Sequence, residues 1–124
     1  MVLIPKKLIS LFEGKTVYFA TASKSGVPNL VCVVPNKLDG GRVIITDNMM
    51  NKTAKNLKEN KFASLSIYSL GKGIQLKGLV EYHTKGSDFD FVKSAPSNKG
   101  YSPKAAIVFL VLEIWDLDSA TRLA

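Results

Sequence analysis

Lys52 and Thr53 stand where an anion could be held. They open a helical pattern directly after a strand-like segment, Arg42 to Thr46 (RVIIT), and a short polar turn, Asp47 to Met50. The first N–H groups of a helix have no intrahelical partner, and the positive end of the helix dipole lies there. A lysine adds a full charge and a threonine adds a hydroxyl donor, so the arrangement suits a phosphate. An Asn-capped helix with solvated lysines explains the same residues without any ligand.

Other chemistries are poorly supplied. The single Cys32 excludes an internal disulfide, a CxxC pair and a cysteine-rich zinc site, and the single His83 weakens most other metal arrangements, so no metal site is expected. No Ser-His-Asp spacing supports a triad. Asp88 and Asp90 are read as helix-capping groups, Gly71-Lys72-Gly73 as a hairpin turn, His83 as a solvent-facing strand end, and Cys32 as a small buried apolar residue. Trp115 fits core packing, a subunit interface or a partner's ligand equally well. No catalytic side chain is assigned.

The elements that must position Lys52 follow from hydrophobic periodicity. Ile4, Leu8, Leu11 and Phe12 recur at helical spacing, which predicts a short helix ending near Gly14 and lying against a sheet. Thr16 to Ala22 (TVYFATA), Leu30 to Val34 (LVCVV) and Arg42 to Thr46 read as a meander, joined by turns at Ser23–Pro28 and at Leu38-Asp39-Gly40-Gly41. Met50, Ala54 and Leu57 then mark a second helix, capped by Asn51 or Asn48 and stopping at Asn60. Phe62 to Tyr68 and Ile74 to His83 alternate as strands, and Gly78 marks a bend or a close backbone approach. Ser87 to Asp90 resembles a capping box, and Ser94 to Pro103 has loop composition. Ala105 to Ile114 is apolar on both faces except at Glu113, so a second layer is expected to cover it, most simply a second subunit. The expectation is one domain over residues 1–124: mainly β with three short helices, a six-stranded antiparallel barrel.

The chain has 124 residues and a formal charge of +7. Residues 1–85 carry 13 basic and 5 acidic side chains, against 4 and 5 in the remainder, so the excess is regional. No run approaches the roughly 20 apolar residues of a membrane span, and the basic start is too short for a secretory signal, so a cytoplasmic protein is expected.

In order and spacing, the strand TVYFATA, the turn with Gly26 and Pro28, LVCVV, the Asp-Gly turn, RVIIT, Asn51-Lys52-Thr53 and the strand Phe62 to Ile67 resemble the pyridoxamine 5′-phosphate oxidase-like FMN-binding split-barrel family. The small bacterial FMN-binding proteins are nearest in length. The resemblance implies an FMN cofactor whose phosphate is bound by Lys52 and Thr53. It implies that Ile45, Thr46, Asp47 and Asn51 border the ribityl chain and phosphate, and that Val31, Cys32, Val33, Val34 and Pro35 line the isoalloxazine ring. It also implies a homodimer with FMN at the subunit interface and a redox partner or small-molecule substrate. Pyridoxamine phosphate oxidase continues into a C-terminal extension bearing substrate-holding Trp, Arg and His residues, whereas this sequence ends at Ala124, so a different substrate is expected. The family's frequent arginine on the strand equivalent to LVCVV is absent, and Asn51 stands where a basic residue often precedes the lysine.

The function expected is that of an FMN-dependent redox protein: an electron carrier, a reductase or an oxidase. A non-enzymatic FMN, deazaflavin or haem carrier is an alternative on the same fold. A small basic barrel binding single-stranded nucleic acid is the alternative from another class. It is disfavoured because Tyr68 and Tyr82 are not interleaved with the lysines as a stacking platform requires.

Overall fold

The computed structural model describes residues 1–124. Helix α1 (Lys6–Phe12) buries Leu8 and Phe12 and leads into β1 (Val17–Ala22), β2 (Pro28–Val33), β3 (Lys37–Asp39) and β4 (Arg42–Asp47). Helix α2 (Lys52–Glu59) follows, then β5 (Phe62–Ser69) and β6 (Lys72–His83). Helix α3 (Ser87–Ser94) and a single 3-10 turn (Pro96–Asn98) precede β7 (Ala105–Asp116) and β8 (Thr121–Arg122).

All eight strands belong to one antiparallel sheet in the order β2-β1-β5-β6-β7-β4-β3, with β8 pairing β7. The six expected strands are all present, and the two extra ones are short. Lys37–Asp39 overlaps the stretch read as a turn, Leu38 to Gly41, yet it pairs with Arg42 to Ile44 around Gly40, whose positive φ closes the hairpin. β2 and β3 end the sheet at opposite edges, although only three residues separate them in sequence. The sheet therefore curls round, and the barrel carries a seam between β2 and β4.

Alternation decides what fills the barrel. Val17 and Phe19 of β1, Leu65 and Ile67 of β5, and Ile107 and Phe109 of β7 point inward to one cluster, which Leu8 and Phe12 of α1, with Ile4 just before it, close. Each such side chain contributes about 1.5 to 3 kcal/mol when fully buried. The outward row is different. Cys32, Tyr18, Ser66, Gln75 and Trp115 pair side by side across five strands, and no helix covers them. Cys32 is consequently exposed, not buried as its apolar neighbours imply: in β2, Val31 and Val33 take the inward positions.

The second face of β7 is partly covered by the chain itself. Val92 of α3 packs on Ala106 and Ile44 in a small separate cluster, so part of the second layer over β7 comes from the same chain. α3 begins at Gly86 with no side-chain cap. Asp88, expected to cap, instead forms an ion pair with Arg42 at 2.8 Å. Nor is Ser94 to Pro103 simply loop: Ser94 closes α3, and Pro96–Asn98 forms the 3-10 turn, which buries Asn98. No helix is long and apolar enough to cross a membrane.

Candidate functional site

β4 runs directly into α2 through the turn Asn48 to Asn51, and Asp47 governs that turn. Its side chain is fully buried. Oδ1 accepts the Met50 N–H at 2.8 Å, Oδ2 accepts the Tyr82 hydroxyl, and Lys104 Nζ lies 3.7 Å from Oδ1. Asn51 occupies the N-cap position without a side-chain cap bond, and no acidic residue lies in the first turn of α2. The backbone N–H groups of Lys52 and Thr53 are therefore free of side-chain caps, and no carboxylate there opposes an incoming anion.

Burial, then the hydrogen bond and charge of Asp47, raise the Tyr82 phenol above its ordinary value. Below about pH 10 the phenol is protonated in folded and unfolded chains alike. Above it, the unfolded chain releases the proton while folded Tyr82 keeps it, so stability falls as pH rises. Urea midpoints between about pH 9 and 11 are expected to fall more steeply for the wild type than for Tyr82→Phe. The lysine background is common to both proteins and cancels in the difference.

The turn opens onto a cleft of about 940 Å³ along the seam between β2 and β4. This is within the usual range for a pocket that holds a ligand of drug or cofactor size. Val31, Cys32, Val33, Val34 and Pro35 line one side, Ile45 and Thr46 the other, and Asn51, Lys52 and Thr53 one end. Ten of the eleven residues expected at the site thus meet in a single cleft. Asp47 does not. It lies beneath the turn, because the inward phase of β4 and the Tyr82 hydroxyl draw its carboxylate away from the seam.

Several polar residues of the cleft have no signal in the sequence. Asn29 Nδ2 donates to Thr53 Oγ1 at 3.1 Å, which leaves the threonine's own proton free to donate. Asn98 Nδ2 donates to Thr46 Oγ1 at 2.8 Å, and Thr46 donates to Asn36 Oδ1 at 2.7 Å. Asn36 in turn donates to Ser97 Oγ at 3.0 Å, so the 3-10 turn is tied into the cleft wall. Asn48 Oδ1 is buried with no hydrogen-bond partner and belongs to the lining. A buried unpaired carbonyl is costly unless a ligand donor meets it, so the cleft is polar where a ligand must be oriented and apolar where it must be covered. No cluster of three or more His, Cys, Asp or Glu side chains gathers there or elsewhere.

Lys52 is exposed and forms no ion pair, in contrast to Lys37, Lys72 and Lys104. It is the only cation of the lining, and Glu13 the only acid. The profile of the pyridoxamine 5′-phosphate oxidase family matches residues 6–118, nearly the whole of this barrel and all of its cleft. The chain belongs to that family. An uncharacterized protein of Methanocaldococcus jannaschii is 34% identical over 125 residues, covering 96% of this chain and 84% of the relative. Among solved structures, HupZ of Group A Streptococcus superposes with a TM-score of 0.88 at 21% identity, over 98% of this chain and 100% of that one. An FMN-binding protein of Syntrophomonas wolfei superposes with a TM-score of 0.74 at 18% identity, over 90% and 82%. The curled sheet with its open seam is the split barrel of the family.

Proposed function

We propose that this family member binds FMN in the seam cleft and acts as a flavin-dependent redox protein. One observation carries the reading: an apolar β2 wall and an uncapped helix start, with Lys52 and Thr53, meet in one cleft of cofactor size. An FMN phosphate carries close to −2, as other phosphomonoesters do near neutral pH, and belongs at the α2 end. The resemblance to the FMN-binding protein of Syntrophomonas wolfei supports the same ligand.

Each residue then has a task. Lys52 offsets phosphate charge, Thr53 donates its hydroxyl proton, and Asn29 holds that hydroxyl in place. Thr46, Ile45 and Asn51 border the ribityl chain. Val31, Cys32, Val33, Val34 and Pro35 cover the ring and exclude water, and Asn48 Oδ1 accepts a donor from it or from the ribityl hydroxyls. Bound FMN supplies the redox step by taking up and returning a hydride or electrons.

The active form is read as a homodimer with FMN at its interface. The outward face of β1, β2 and β5 leaves Tyr18, Leu30, Phe62 and Tyr68 exposed, an apolar surface on which a second copy can pack. Titrating the purified protein with FMN is expected to quench flavin fluorescence at one FMN per chain. Light scattering is expected to give twice the 13.5 kDa chain mass. A protein that leaves FMN fluorescence and its own melting temperature unchanged overturns the reading.

A further inference from the structure

Asp47 is placed to do something other than touch a ligand. Both of its oxygens are engaged inside the fold, one by the Met50 N–H and one by Tyr82, and none of its surface is exposed. Lys104 completes the arrangement: its Nζ donates to the Met50 carbonyl at 2.9 Å while lying 3.7 Å from Asp47 Oδ1. The Met50 residue is thus held at both its N–H and its C=O. One residue later, the Asn51 carbonyl accepts the Lys55 N–H and begins α2. Tyr82 ties the same turn to β6, and its ring lies under Lys58 of α2 at 5.7 Å. Fixing Met50 therefore fixes where the free N–H groups of Lys52 and Thr53 point.

We propose that Asp47, braced by Tyr82 and Lys104, is a positioning residue that sets the helix start for the phosphate half of the cleft. The inference rests on the FMN reading above and assigns no role to Asp47 at the ring. Its consequence is selective. A loosened helix start weakens recognition of the phosphate and leaves the ring wall intact, because β2 shares no hydrogen bond with Asp47.

FMN and riboflavin, which differ only by the phosphate, separate these effects. Asp47→Ala is expected to weaken FMN binding about tenfold, and Tyr82→Phe about threefold to tenfold, with riboflavin affinity held within about twofold in both. Asp47→Asn keeps an acceptor for the Met50 N–H and is expected to recover FMN affinity to within about threefold of the wild type. Without any ligand, hydrogen exchange at the Met50 and Lys55 amides is expected to quicken in Asp47→Ala. Riboflavin affinity that falls in parallel with FMN affinity overturns the inference, as does unchanged exchange. A marked gain of FMN affinity in Asp47→Asn does so too, since it would show direct repulsion of the phosphate. Should Asp47→Ala fail to fold, Tyr82→Phe gives the same comparison. Wild-type protein that binds neither flavin overturns the FMN reading, whereas wild-type binding with unaltered variants overturns only the role of Asp47.

Discussion

Lys52→Ala is expected to weaken FMN binding about 10- to 100-fold and to leave folding stability within about 0.5 kcal/mol of the wild type. The asymmetry follows from where Lys52 sits. Its ammonium is exposed and makes no ion pair in the fold, so removing it leaves no buried partner unsatisfied. A hydrogen bond to a charged group contributes about 1.5 to 3 kcal/mol, and the lower part of that range applies while the lysine stays wet. No second cation of the lining replaces it, since the residue before it is Asn51 and Lys55 lies outside the cleft. Fluorescence titration gives the affinity, and riboflavin is the control, because a ligand without phosphate should not register the substitution. The loss should shrink as salt rises, because an ion pair made by an exposed lysine weakens at high salt. Equal FMN affinity in variant and wild type would place the phosphate elsewhere.

How far the site could be read from sequence depended on how local each signal was. The strand-turn-helix passage from Arg42 to Asn60 is continuous in sequence, so Lys52 and Thr53 could be located by periodicity and helix-end chemistry alone. The β2 residues Val31 to Pro35 carried no such mark. They joined the site through the resemblance, and the fold brings them to the same cleft because the sheet curls until β2 faces β4. Asn29, Asn36 and Asn98 were silent for a related reason. An asparagine is ordinary turn chemistry until a partner distant in sequence, here Thr53 or Thr46, shows what it holds.

Asp47 and Cys32 were misplaced by opposite causes. Asp47 was read as a polar turn residue near the ligand, but Tyr82, 35 residues away, draws it into the interior. Cys32 was read as buried because its neighbours are apolar, yet a period of two sends alternate residues of β2 to the uncovered face. The covering of β7 by α3 was likewise invisible, since a doubly apolar strand does not say which element supplies the second layer.

Gly78→Ala is expected to cost about 3 kcal/mol, a large share of the 5 to 15 kcal/mol that stabilises a typical domain. The sequence allowed either a bend or a close approach at this glycine, and both occur: the β6–β7 register shifts between Lys77 and Gly78, and a Cβ at Gly78 would overlap the Leu110 carbonyl. The obstructing atom is backbone in β7, which is paired with β6, β4 and β8, so no rotamer change relieves the clash. The Phe109 ring, 3.3 Å from the same Cβ, blocks movement toward the core. An alanine at an unobstructed strand glycine normally stabilises by about 0.5 to 1 kcal/mol, so even the sign of the change is informative. A melting temperature lower by about 10 °C is expected, and a variant as stable as the wild type would show that β6 and β7 part without strain. The damage should extend to the cleft. β7 also pairs with β4 from Arg42 to Asp47, so strands forced apart at Leu110 shift the wall that carries Ile45 and Thr46. FMN affinity is therefore expected to fall in a substitution that touches no residue of the cleft, and riboflavin affinity with it. That shared loss sets the effect apart from Lys52→Ala, in which only the phosphate-bearing flavin is affected.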